Sequence, residues 1–129
     1  MKGYLLDTNA ALLGVADPGR LSAAASKAVL RGPNMISVVS FWEVLLKSMK
    51  GTLDVGDPRA WWTDTLEQLA ATPLQLRSNH VAGVYSLPPL HKDPFDRILI
   101  AQASAEDLVM VTADGQIPLY ASAHFRVIS

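Results

Sequence analysis

Four acidic residues stand where carboxylates can do chemistry. Asp7 ends the apolar run Tyr4-Leu5-Leu6, and Asp114 follows the apolar run Leu108-Val109-Met110-Val111 by way of Thr112 and Ala113. Glu43 sits between Trp42 and Val44, and Asp96 shares a helical face with Leu99, Ile100 and Ala103, so neither has an obviously solvent-facing setting. Carboxylates crowded together raise one another's pKa, and a group of them makes sense mainly around divalent cations. The chain has no cysteine, which excludes thiolate zinc sites, disulfide frameworks and cysteine nucleophiles. Any metal must therefore use oxygen or imidazole donors.

Apart from Asp96, the acids of these motifs also have ordinary structural explanations. Asp7 suits a helix N-cap, although Thr8 or Asn9 would serve as well. Glu43 precedes Lys47 by one helical turn, the spacing of a surface ion pair. Asp93, directly before Pro94, is read first as an N-cap, and Asp114-Gly115 has the composition of a turn. The joint placement argues more strongly than any single position: two acids follow strands and two lie in first helical turns.

The elements that place them follow from patterning. Strands are expected at Tyr4-Leu5-Leu6, at Met35 to Val39, at Leu74 to Arg77, at Leu108 to Thr112 and at Phe125 to Ile128. Helices are expected from Ala10 to Ala16, from Leu21 to Arg31 with Gly32-Pro33 as the stop, and from Phe41 to Lys50 with Ser40 as N-cap. Further helices are expected from Asp57-Pro58 to about Thr72-Pro73, from Asn79 to Ser86, and from Asp93-Pro94 to about Asp107; Leu87 to Leu90 is a loop. Strands separated by helical crossovers indicate an α/β sandwich with a mainly parallel sheet, whose ligands bind beyond the carboxyl ends of the strands.

With 129 residues, half of them hydrophobic, the chain has the size and core of a single domain, residues 1–129. A net charge of −1 gives no overall attraction for nucleic acid, so phosphate binding would rest on local placement of Lys47, Lys50, His91, Lys92 and Arg97 around the acids. No export signal and no apolar run near the roughly 18 residues of a membrane span are visible. A soluble, cytoplasmic protein is expected.

The motifs resemble the PIN-domain family, and within it the VapC-type toxins of toxin-antitoxin pairs. The resemblance rests on Leu5-Leu6-Asp7-Thr8-Asn9, on Ser40-Phe41-Trp42-Glu43-Val44 with Lys47, on His91-Lys92-Asp93-Pro94-Phe95-Asp96-Arg97 continuing to Ala103, and on Val111-Thr112-Ala113-Asp114 with Ile117 and Tyr120. It implies a PIN-like three-layer α/β/α sandwich, and Asp7, Glu43, Asp96 and Asp114 as catalytic metal ligands for Mg²⁺ or Mn²⁺. Thr112, Asp93 and Asn9 are supporting candidates. The resemblance further implies an RNA substrate, a cognate antitoxin covering the acidic groove, and a homodimer able to join a toxin-antitoxin hetero-oligomer.

The corresponding activity is hydrolysis of RNA by a metal-activated water, leaving a 3′ hydroxyl. Lys92 and Arg97 are the candidate phosphate contacts, and His91 is a rim contact. Two other readings stay open on the residues alone. A phosphoaspartate receiver or phosphatase also places Asp at a strand end, though Asn9 stands where a phosphatase carries its second Asp. A PIN-like module that binds RNA or protein without cutting is the non-enzymatic alternative.

Overall fold

Helical segments separate the strands along the chain, as its hydrophobic patterning requires. A computed structural model describes residues 2–90 and 92–129. Its elements are β1 (Tyr4–Leu6), α1 (Thr8–Ala16), α2 (Ala23–Arg31), β2 (Asn34–Ser37), α3 (Val38–Met49) and α4 (Pro58–Gln68). There follow β3 (Ala71–Leu74), α5 (Ser78–Val84), α6 (Pro94–Ala105), β4 (Val109–Val111) and β5 (Arg126–Ile128), with short 3-10 turns at Pro18–Arg20 and Ile117–Tyr120.

The strands form one sheet in the order β3-β2-β1-β4-β5, and every pairing is parallel. Side chains alternate across it. Tyr4, Leu6, Val109 and Val111 pack with Ala10, Ala11, Ala25 and Ala28 from α1 and α2 on one face, while Leu5 and Met110 pack with Val39, Leu99, Ile100 and Ala103 from α3 and α6 on the other. Both faces are therefore covered, as parallel strands require, and the expected α/β/α layering is present. Small alanines on α1 and α2 bring those helices close to the sheet.

Several element boundaries differ from expectation for identifiable reasons. Helix α1 starts at Thr8, because Asp7 itself is the N-cap. Val38 and Val39 belong to α3 and not to β2: the Ser37 hydroxyl accepts the Val39 N–H at 3.0 Å and begins the helix one turn before Ser40. Glu43 consequently lies in the second turn of α3, not the first. Helix α4 ends at Gln68, and Thr72-Pro73 falls inside β3, where Leu74 to Arg77 was expected to begin the strand. Proline is tolerated there because β3 is an edge strand, paired only with β2.

Candidate active site

Strand order reverses between β1 and β4: the chain builds outward from β1 through β2 to β3, then returns to the other side of β1. In open parallel sheets the crevice at such a switch point, beyond the strands' carboxyl ends, is where ligands bind. Leu6 is level with Ile36 on one side and Val111 on the other, so the residues that follow these strands meet at one edge. Asp7 and Thr112 follow β1 and β4, and Ser37 is the last residue of β2. The Asp7 N–H donates to the Val111 carbonyl at 3.0 Å, which fixes the two strand exits against each other.

Asp7 is 2 % exposed. Its Oδ1 accepts the Ala10 N–H at 2.8 Å, and its Oδ2 accepts a short hydrogen bond from the Thr112 hydroxyl. The capping and site-forming readings of Asp7 thus describe one side chain with two oxygens in two environments. Burial pushes its pKa up to about 6; the bonds from Thr112 and Ala10 pull it down, and the nearby charges of Asp114 and Glu43 raise it again. Thr112 also accepts the Asp114 N–H at 2.9 Å, so one hydroxyl ties Asp7 to Asp114. Asp114 in turn accepts the Gln116 N–H at 2.8 Å, the turn-forming role its Asp-Gly context suggested.

Glu43 is 4 % exposed and reaches the same cluster from α3. Its Oε1 accepts from the Thr8 hydroxyl at 2.7 Å, and its Oε2 accepts from Lys47 Nζ at 2.8 Å. Thr8 has one hydroxyl proton, so its 2.9 Å contact with Ser40 Oγ is made with Ser40 donating. Ser40, expected to cap α3, instead braces the residue that positions Glu43.

On α6, Asp93 is the N-cap and accepts the Phe95 N–H at 2.9 Å, the structural role preferred for it from sequence. Asp96 is half-buried in the first turn of α6, and both Asp93 and Asp96 act electrostatically on Lys47. Helices α3 and α6 are further joined by Trp42 and Phe95, whose rings meet edge-on at 5.0 Å. The neighbours of Glu43 and Asp96 are therefore in contact.

The remaining candidates are placed unequally. Asn9 is exposed on the first turn of α1, and Lys92 is exposed before α6. Arg97 donates to the carbonyls of Pro88 at 2.9 Å, Val84 at 3.3 Å and Leu87 at 3.4 Å, and to the Tyr120 hydroxyl at 3.2 Å. These bonds give it the task of fastening the segment after α5 to α6. His91 lies outside the described residues.

Two groups of supporting residues were given no site role from sequence. Thr8 and Ser40 form the Glu43 brace. Ser37 donates to Gln102 Oε1 at 2.6 Å, and Gln102 Nε2 meets His80 Nδ1 at 3.3 Å. The Arg77 N–H also points at Nδ1, at 3.0 Å, which leaves the proton on Nε2 to reach Glu106 at 3.1 Å. This buried relay joins α5 and α6 to the N-cap of the helix that carries Glu43. No sequence periodicity announces it.

The donor set suits a hard divalent cation in type and charge, because the acids offer oxygen only and the burial of ionised Asp7 calls for a counter-charge. Among the described residues, no three His, Asp or Glu side chains already converge as a closed coordination sphere. Present hydrogen bonds to Thr8, Thr112 and Lys47 hold the oxygens instead.

A search of solved structures finds chains of toxin-antitoxin complexes with this fold. A VapBC chain from Salmonella typhimurium, solved bound to DNA, superposes with a TM-score of 0.71 at 14% identity, covering 99% of this chain and 98% of the other. A VapBC2 chain from Rickettsia felis, solved with a promoter DNA fragment, gives 0.70 at 13%, covering 97% and 96%. A VapBC-5 chain from Mycobacterium tuberculosis gives 0.62 at 20%, covering 96% and 95%. Identity this low establishes shared fold alone, and a comparison with curated proteins finds no significant match. The PIN domain, however, matches residues 4–122, a span that runs from β1 past Tyr120 and takes in all four acids, so the chain belongs to the PIN-domain family.

Proposed function

We propose that the chain is a metal-dependent endoribonuclease and the toxin of a type II toxin-antitoxin pair. The observation that carries this reading is a buried carboxylate, Asp7, at the switch point of a PIN fold with Glu43 and Asp114 as its acidic neighbours. Asp7, Glu43, Asp96 and Asp114 would hold Mg²⁺ or Mn²⁺. When bound, such a cation makes water a better nucleophile and offsets charge on the scissile phosphate and leaving oxygen.

The chain's own residues supply position. Thr112 orients Asp7 and fixes Asp114 beside it, while Thr8, supported by Ser40, orients Glu43. Lys92 is the exposed cation beside α6 assigned to RNA phosphate. The fold shared with chains solved in toxin-antitoxin complexes supports an antitoxin partner. The strand order β3-β2-β1-β4-β5 is unlike the 2-1-3-4-5 order of receiver domains, which weighs against a receiver.

A second reading, a PIN module that binds without cutting, is favoured by the lack of a preformed coordination sphere among the described residues. Total RNA incubated with antitoxin-free protein separates the two. The nuclease reading predicts discrete fragments ending in a 3′ hydroxyl, with Mn²⁺ but not EDTA, and none with Asp96→Asn. Fragments ending in a cyclic 2′,3′-phosphate contradict it.

A further inference from the structure

The Glu43–Lys47 pair has the sequence spacing of a surface helix pair but not the environment of one. The Glu43 side chain is 5% exposed and that of Lys47 is 47% exposed, with Nζ and Oε2 at 2.8 Å. A buried carboxylate without a counter-charge is costly, and here Thr8 and Lys47 between them occupy both oxygens of Glu43. The same ammonium feels Asp93 and Asp96 from α6. One positive charge therefore serves three acids on two helices.

The Lys47 stem is half exposed, and a flexible four-carbon stem can carry the ammonium away without disturbing α3. A divalent cation bound closely at Oε2 would stand at short range from that ammonium, and the two positive charges would repel. We infer that Lys47 is the resident counter-ion of Glu43, acting also on Asp93 and Asp96: it holds Oε2 in the metal-free protein and must give way when Glu43 ligates a metal through that oxygen. Lys47 is then a positioning residue that stabilises the metal-free fold and weakens metal affinity. This inference rests on the metal-site reading above.

The test is calorimetric titration with MnCl₂ of wild type, Lys47→Met, Lys47→Gln and Lys47→Arg, together with thermal melts in EDTA and in saturating MnCl₂. Removing one partly exposed charge is expected to tighten Mn²⁺ binding about fivefold in Lys47→Met and Lys47→Gln. Both should melt below wild type in EDTA and show a larger rise on adding Mn²⁺, while Lys47→Arg stays near wild type. Unchanged or weaker Mn²⁺ affinity in both neutral variants, with wild type binding normally, overturns this inference and leaves the metal reading standing. A wild type that takes up no Mn²⁺ overturns both.

Discussion

Asp7→Asn should make the metal-free protein more stable at neutral pH while removing the proposed RNA cleavage. The Asp7 carboxyl titrates near 6 in the fold against 3.8 when unperturbed, chiefly because burial disfavours its charge. A raised folded pKa means the native state holds a proton that the unfolded state has lost between these values. The resulting stability is fully present below pH 3.8 and is lost as pH rises through about 6. A shift of about 2 units corresponds to roughly 3 kcal/mol. Asparagine keeps the oxygen that accepts the Ala10 N–H and removes the charge, so the gain at pH 7.5 should be about 1–3 kcal/mol after some loss at Thr112. Urea unfolding in EDTA at pH 7.5 and pH 4 measures it. The advantage of Asp7→Asn should be present at pH 7.5 and shrink toward zero at pH 4. A variant less stable than wild type at pH 7.5, or equally favoured at both pH values, would show that burial does not raise the Asp7 pKa.

Other perturbations test the supporting contacts. Thr112→Val removes the hydroxyl between Asp7 and the Asp114 N–H and should cost roughly 1–3 kcal/mol by urea unfolding, with Thr112→Ser retaining most of the stability. Arg97→Met should release the carbonyls of Val84, Leu87 and Pro88, seen as faster hydrogen exchange across residues 84–90. Gln102→Leu leaves the Ser37 hydroxyl without its acceptor in a buried relay and should cost about 1–3 kcal/mol, measured by denaturant melts.

The sheet was legible because continuous apolar runs such as Leu108 to Val111 have few alternatives to a buried parallel strand, and Asp7 and Asp114 were legible because they interrupt such runs. The start of α3 was not. Ser40 and Glu43 have the S-x-x-E spacing of a capping box, and β-branched Val38 and Val39 favour a strand locally; the Ser37 cap, held by Gln102 from α6, overrides both. That choice depends on a residue far along the chain. Arg97 shows the same limit: its place beside an acidic motif suggests a phosphate contact, while its bonds to carbonyls at the end of α5 and in the loop after it depend on a return to α6 that no local pattern encodes. The Glu43–Lys47 pair was visible as spacing, whereas its burial, which gives it consequence, follows only from how α3 packs.

In the proposed function, Asp7, Glu43, Asp96 and Asp114 together hold a divalent cation. Crystals grown in MnCl₂ and measured at a wavelength sensitive to manganese test it directly. The expected result is an anomalous peak bounded by these four carboxylates and absent in Asp96→Asn. A peak elsewhere, or no peak in crystals of protein that cleaves RNA, would contradict it.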